Sequence, residues 1–349
     1  MKVLGIETSC DETAAAIVED GCRVLSNVIH SQIDIHQIYG GVVPEVAARS
    51  HIEVMIPVVE EALSQAGLGW DEIDAISVTY APGLVGSLLV GVLTARMLAI
   101  LKQKPLYAVH HLEGHVYANF LVEPQPAFPM LALIVSGLHT QLVLFHDHGK
   151  FELLGVAQDD AAGEAFDKVA RLLGLASPGG GRAVAEAALR GNPNRYHLPK
   201  ARLQNPYDFS FSGLKTAVLR AVQAECGKGH DFPSFELAAL LSESQRNDFA
   251  ASFQRVAVET LVEKTKRAYQ EYSPASVVIA GGVAANQELR RQLREALPHQ
   301  IEYAPIELCT DNAAMIATLG YYVSQYRDPI DPFELDVVPT LSMTKTTWR

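Results

Sequence analysis

The chain has 349 residues, 48% of them hydrophobic and 19% charged, with a formal net charge of −12. That length allows two separate cores, and the composition is that of a globular chain rather than a disordered one. The acidic balance argues against nucleic-acid binding over the whole surface, and no apolar run reads as long enough to cross a bilayer. Residues Met1–Cys10, "MKVLGIETSC", show no charged head, apolar core and small-residue cleavage site, so no signal peptide is read. Cys10, Cys22, Cys226 and Cys309 are scattered without a Cys-x-x-Cys pair. That pattern disfavours a zinc ribbon or a disulfide framework and fits a reducing cytoplasm.

In chain order, "KVLGIETSCDETAAAIVEDGCRVLSNVIH" reads as strand, turn, strand, turn, strand. "VPEVAARSHIEVMIPVVEEALSQAG" follows with apolar residues near a 3.6-residue period and Gly67 placed to end a helix. "IDAISVTYAPGLVGSLLVGVLTARMLAILK" predicts a strand, a Pro-Gly turn and a buried helix. "EPQPAFP", Glu123 to Pro129, is the expected hinge. "LALIVSGLHTQLVLFHDHGKFELLGVA" then repeats the opening plan at an offset of 127, pairing Ser9 with Ser136, Thr13 with Thr140 and Asp20 with Asp147. Such self-similarity suggests a duplicated α/β unit. Between Arg171 and Arg220, eight basic residues stand against Glu186 and Asp208, with Tyr196, Tyr207, Phe209 and Phe211 among them. Basic and aromatic residues so mixed suit a polyanion with exposed bases, or else a solvated loop-rich surface. "SVVIAGGVAANQELRRQL" predicts a strand, a Gly281-Gly282 turn and a helix. "LCTDNAAMIATLGYYVSQY" opens a last helix with Thr310 or Asp311 as its expected N-cap. Pro-rich "RDPIDPFELDVVPT" closes the pattern as an irregular tail.

Two strand–turn–strand repeats and a Gly-Gly turn before a helix form a layout for holding a nucleotide, since such turns present backbone N–H groups to phosphates. It resembles the actin-like ATPase (ASKHA, duplicated ribonuclease H-like) α/β architecture, with two lobes and an interlobe cleft. The expected division is 1–122 for an N-terminal lobe, with 327–349 packing back on it as a tail. Residues 129–326 would form a C-terminal lobe with an insertion near 171–270. No Gly-x-x-x-x-Gly-Lys-Ser/Thr sequence is present, which excludes a P-loop.

"HHLEGHVYANF", His110 to Phe120, raises the question of a metal. On a helix, His111 and His115 share a face and can aim at one ion. Two imidazoles need a third ligand, and Asp311 in "CTDNAAM" is the best candidate. Two histidines and one carboxylate leave open positions, which suits Fe(II) or zinc. Glu113 does not make this a zincin. That motif is His-Glu-x-x-His, whereas Glu113 lies two residues after His111, about 200° around a helix of about 3.6 residues per turn. The His-x-Glu half of a zinc deaminase signature lacks its Pro-Cys-x-x-Cys half.

From Lys2 to about Tyr326 these segments resemble the TsaD family (formerly Gcp), the bacterial-type tRNA N6-adenosine threonylcarbamoyltransferases. The resemblance rests on "GIETSCDETAAAIV", "GGVVPEVAARSH", "PGLVGSLLVG", "HHLEGH", "GEAFDKVARLLGL", "FSFSGLKTAV", "GGVAAN" and "TDNAAMIA". It implies transfer of a threonylcarbamoyl group from threonylcarbamoyl-AMP to N6 of the adenosine 3′ of the anticodon, position 37, in tRNAs reading codons that begin with A. It assigns the metal, usually Fe(II), to His111, His115 and Asp311. It assigns substrate contacts to the turn Ile134, Val135, Ser136, Gly137 and Leu138, and to Asp167, Gly180 and Asn286. It further implies tRNA, a paralogous TsaB-type subunit, a TsaE-type ATPase and a functional link to the threonylcarbamoyl-AMP synthase, with an adenine nucleotide in the cleft. No general base is assigned.

The chemistry accounts for these residue types. The adenylate is a mixed anhydride with AMP as a good leaving group, so attack by an aromatic amine needs positioning and oxyanion stabilisation above all. Asn286 can donate and accept at an adenine or ribose edge, and reads equally as a helix N-cap. The family has Ser-Gly-Gly-His-Thr where this chain has Leu138 in place of the second glycine; a positive φ there would strain leucine. Ala81 and Gly181 are smaller departures. Competing readings are an actin-like small-molecule kinase, a metallopeptidase (the old family name), and a nucleotide-binding subunit that regulates partners without catalysis.

Overall fold

Both repeats fold as antiparallel three-stranded meanders, each beginning a five-stranded mixed sheet. The computed structural model describes the chain except residues 40, 176–179, 299–301 and 344–349. The first meander is β1 (Lys2–Glu7), β2 (Glu12–Glu19) and β3 (Arg23–Ser31), followed by a short α1 (Ile33–Gln37) and the long α2 (Pro44–Ala66). Then come β4 (Ala75–Ala81), α3 (Val85–Lys102), β5 (Leu106–His110) and α4 (His111–Tyr117). The strand order is β3-β2-β1-β4-β5, with β4 parallel to β1 and β5 parallel to β4. Pro44 starts α2 and Gly67, at φ 66°, ends it, the arrangement expected of a proline in the first turn and a left-handed glycine after the last.

The second meander is β6 (Met130–Val135), β7 (Thr140–Asp147) and β8 (Lys150–Val156). Helices α5 (Ala162–Leu172), α6 (Gly180–Ala188), α7 (Ser212–Glu225), α8 (Ser234–Leu237) and α9 (Glu243–Tyr272) follow. Then come β9 (Ser276–Ala280), α10 (Gln287–Ala296), β10 (Glu302–Tyr303), α11 (Ile306–Cys309) and α12 (Ala313–Val323). The order is β10-β9-β6-β7-β8. The 127-residue offset holds at the level of single pairs: Leu4 faces Ile17 in the first hairpin, and Leu131 faces Leu144 in the second. A one-residue slip would have turned every buried side chain outward, so the sequence repeat is a repeat of backbone register.

The chain divides into two compact units, one of Met1–Ala127, Asp147–Lys150 and the described residues from Tyr303 onward, the other of Phe128–His146 and Phe151–Glu302. The division near residue 127 falls inside the Pro-rich stretch Glu123 to Pro129. The expectation that 129–326 forms one lobe differs from this at its end, because α12 belongs with the first sheet. A Cβ on Gly5 of β1 would lie 2.3 Å from the Ala313 carbonyl oxygen, and one on Gly320 of α12 would lie 2.4 Å from Ser77 of β4. Only glycine lets that helix lie so close to the strands. In the tail, Leu335 and Leu341 are buried in the core of the first unit, and the Ile330 and Val338 amides donate to the Leu106 and Tyr80 carbonyls. Its residues 344–349 lie outside the described residues.

Helix α3 departs from expectation twice. It is long and apolar enough, by length and composition, to cross a membrane, so the chain does contain one such run. It is also only about one third buried. Leu88, Val92, Ala95 and Ala99 face the core, while Val85, Leu89, Leu93, Met97 and Leu101 are exposed along the opposite side.

Candidate functional site

Strands β1, β4 and β5 run parallel, so their carboxyl ends share one edge of the first sheet, where sites of open α/β sheets form. Glu7 ends β1, Thr79 lies near the end of β4, and β5 runs directly into α4 at His111. Within α4, His111 and His115 are one turn apart, their rings 4.6 Å between centroids and nearly perpendicular. Asp311 arrives from just before α12. Its Oδ1 lies 3.1 Å from His115 Nε2 and 3.5 Å from His111 Nε2. One donor atom from each of the three residues falls within 4.8 Å of the others. Asp311 does not cap α12. Asn312 does, accepting from the Met315 amide, because the carboxylate next to it is turned toward the histidines.

A further layer stands behind His111. Glu7 Oε2 and Ser9 Oγ each lie 3.1 Å from His111 Nδ1. The Thr79 hydroxyl donates to Glu7 Oε2 at 2.6 Å, and the Ser9 amide donates to Glu7 Oε1 at 2.5 Å. A carboxylate beside Nδ1 holds a proton there and turns Nε2 toward Asp311 and His115, so that Nε2 is the nitrogen a cation would take, the arrangement that orients imidazole ligands. Burial works to raise the Glu7 carboxyl, but His111 and the Thr79 hydrogen bond outweigh it and hold it below the usual range. Asp311 is likewise held well below it: burial opposes ionisation, and His111 and His115 prevail. For His111, burial opposes the charged form, yet Asp311 and Glu7 lift the imidazole to about 9. A buried carboxylate, Glu7, and a partly buried one, Asp311, converging on two imidazoles form a nest for positive charge, and the donors are those of a transition-metal site with open positions. The residues fit a divalent cation.

Glu113 points elsewhere. It lines a small recess with Tyr80, His110, Val323, Arg327 and Leu341, and burial pushes its carboxyl up to about 7. It stands on a different face of α4 from the two histidines, as the helical phase required.

In the second unit, the turn after β6 is closed by the Ser136 amide donating to the His139 carbonyl, and by the His139 amide donating to Ser136 Oγ. Two glycines press against it. A Cβ on Gly163 of α5 would lie 2.4 Å from the Ser136 carbonyl oxygen, and one on Gly281, at φ 88°, would lie 2.7 Å from that of Val135. Leu138 is not among the positive-φ residues and is 72% exposed, so the turn takes leucine without the strain feared for a missing glycine. Asp167 on α5 meets the start of α6, where the Gly180 and Gly181 amides donate to it. Burial nonetheless raises its carboxyl. Asn286 caps α10 by accepting from the Leu289 amide, and its Nδ2 donates to Gln254. The structure therefore brings Val135 to Gly137 together with Gly163 and Gly281, and pairs Asp167 with Gly180.

The basic segment divides. Tyr207, Phe209 and Phe211 are buried, and Tyr196 stacks on Phe249 with centroids 3.7 Å apart. Tyr207, Phe209 and Phe211 are core and Tyr196 is partly buried under its stacking partner, which corrects the reading of them as platforms for bases. Lys200 pairs with Glu259 and Glu263, and Lys215 with Asp160, while Arg190, Arg195 and Arg202 are exposed.

Residues 23–318 match the family model TsaD, "tRNA N6-adenosine threonylcarbamoyltransferase". The chain belongs to the TsaD family. A relative from Thermomicrobium roseum bearing the same description is 52% identical over 99% of this chain and 98% of its own length. One from Symbiobacterium thermophilum is 52% identical over 98% of this chain and 96% of its own length. Among solved structures, HypF from T. kodakarensis has a TM-score of 0.61 at 13% identity, covering 93% of this chain and 48% of that one. Component A of the (R)-2-hydroxyglutaryl-CoA dehydratase of Acidaminococcus fermentans has 0.51 at 14% identity, covering 93% and 99%. Those two likenesses concern the fold alone, and it is the expected actin-like α/β architecture. As a TsaD-family member, the chain is an enzyme of the tRNA N6-adenosine threonylcarbamoyltransferase class. Glu7 and Ser9 escaped the sequence reading. The available signal was a carboxylate closing the apolar run Val3–Ile6 of the strand "KVLGIE".

Proposed function

We propose that the chain transfers the threonylcarbamoyl group of threonylcarbamoyl-AMP to N6 of adenosine 37 in tRNAs reading codons that begin with A, in the cytoplasm. The observation that carries this reading is the convergence of His111 and His115 Nε2 on Asp311 Oδ1 in a chain of this family. His111, His115 and Asp311 are the proposed ligands of one divalent cation, Fe(II) first and zinc second. When bound, such a cation supplies Lewis-acid stabilisation to phosphate or carbamate oxygens. Glu7 and Ser9 hold the His111 ring in its working tautomer. The Ser136–Gly137 turn offers backbone amides to the charge that develops on the carbonyl oxygen. Asp167 is proposed to accept from a hydroxyl or amine of the threonyl part, and Asn286 to stand at the adenine or ribose edge.

For the tRNA, exposed Arg190, Arg195 and Arg202 are the proposed phosphate contacts. A TsaB-type paralogue is the proposed cover for the apolar outer side of α3 and for Ile52 and Ile56 of α2, both exposed. Such a contiguous apolar face marks a protein interface. A TsaE-type ATPase and the threonylcarbamoyl-AMP synthase complete the proposed set.

The test is His111→Ala in cells depleted of the native protein. Loss of the ligand should lower threonylcarbamoyladenosine in total tRNA at least about 100-fold, beyond what removal of groups behind a ligand costs, as read by nucleoside mass spectrometry. Unchanged modification would sink the site assignment.

A further inference from the structure

The segment "VPEVAARSH" ends in His51, which is fully buried on the inner side of α2 and has no role in the reaction outlined above. Its surroundings fix its protonation. Nε2 lies 3.0 Å from the Cys10 carbonyl oxygen, which only accepts, so Nε2 carries the hydrogen. Nδ1 then accepts, and it lies 2.7 Å from the Thr13 hydroxyl and 3.3 Å from Gln32 Nε2. The chain of donors continues outward: the Val43 amide donates to His36 Nδ1, which leaves His36 Nε2 to donate to Gln32 Oε1 at 3.2 Å. Every member points its hydrogen toward the Cys10 carbonyl. Burial keeps His51 below its ordinary pKa and so in the neutral form this direction requires.

The Cys10 carbonyl has a second donor, Ser87 Oγ of α3, at 3.1 Å. The turn it belongs to is pinned on the other side as well. The Leu84 amide donates to the Ser9 carbonyl, the Thr8 hydroxyl donates to the Ser87 carbonyl, and a Cβ on Gly83 would lie 2.5 Å from the Ser9 carbonyl oxygen. The result of this pinning is the position of Ser9, whose hydroxyl and amide serve His111 and Glu7.

We infer that His51 and Ser87 are positioning residues of the metal centre: by donating together to the Cys10 carbonyl they fix the turn that aims Ser9 and Glu7 at His111 Nδ1. The inference rests on the metal-site reading above. Both residues sit on the inner sides of helices whose outer sides are the exposed apolar face, so the two helices carry this turn on one side and a docking surface on the other.

The experiment is cobalt(II) titration of the purified full-length chain, followed by visible absorption, with thermal unfolding measured in parallel. The variants are His51→Leu, His51→Gln and Ser87→Ala. Groups behind a metal ligand change affinity about 10- to 100-fold, and a group acting through a turn belongs at the lower end. His51→Leu should therefore bind cobalt about 10-fold more weakly with an altered spectrum, whereas His51→Gln, which keeps an N–H donor near Nε2, should recover affinity and spectrum. Ser87→Ala should fall between them. A folded His51→Leu with native spectrum and affinity overturns the inference, as does His51→Gln failing equally. If His51→Leu does not fold, native cobalt binding by Ser87→Ala overturns it. A native chain that takes up no cobalt overturns the metal-site reading itself, and the inference with it.

Discussion

The first hairpin turn carries Glu7, Thr8, Ser9, Cys10, Asp11 and Glu12; the second, 127 residues on, carries Ile134, Val135, Ser136, Gly137, Leu138 and His139. The flanking strands pair in the same register, and the serine is shared. One turn is built from carboxylates and hydroxyls wired to an imidazole. The other has no acid at all, and two neighbouring glycines crowd its carbonyls. Duplication kept the backbone plan, while side chains divided the labour: one copy concentrates charge, the other exposes amides. A charged turn manages its cost through partners, since an ion buried without them costs several kcal/mol. An uncharged turn manages space.

Three substitutions sharpen that contrast. The largest effect belongs to Glu7→Gln, which keeps the shape of the charged turn and removes its charge. Metal affinity should fall about 10- to 100-fold, measured by competition with a chelator; native affinity would mean that Glu7 merely fills the core. Next is Gly163→Ala, whose Cβ would meet the Ser136 carbonyl oxygen at 2.4 Å. Overpacking of this kind costs about 1–3 kcal/mol, so the melting temperature should drop and the Michaelis constant for the adenylate should rise, while metal content stays native. An unchanged Michaelis constant would show that the turn does not touch substrate. The smallest effect belongs to Leu138→Gly. An exposed side chain without backbone strain is worth within about 0.5 kcal/mol, and denaturant unfolding should show no more. A gain well above that would reveal strain in the turn after all.

The pairing of His111 with His115 was legible because helical phase is a local property: residues four apart on α4 must share a face, and Glu113 must not. Glu7 was not legible, because its contact with His111 depends on β1 and β5 lying two strands apart in a sheet whose order a sequence does not state. The same holds for α12. It is apolar on nearly every side, so periodicity cannot say which sheet it covers, and the decision is made by glycines at positions 5 and 320. The aromatics near residue 207 misled for the opposite reason. Their spacing among basic residues suits base stacking, but Phe209 and Phe211 lie fully buried, and burial is a tertiary fact.

The fate of α12 and the tail bears on the order in which the protein matures at the ribosome. Domains form as units while synthesis proceeds from the N-terminus, yet Gly5 needs its partner helix from residues 313–323, and the core around β1 needs Leu335 and Leu341. The unit that emerges first therefore stays unfinished until residues 313–341 have been made.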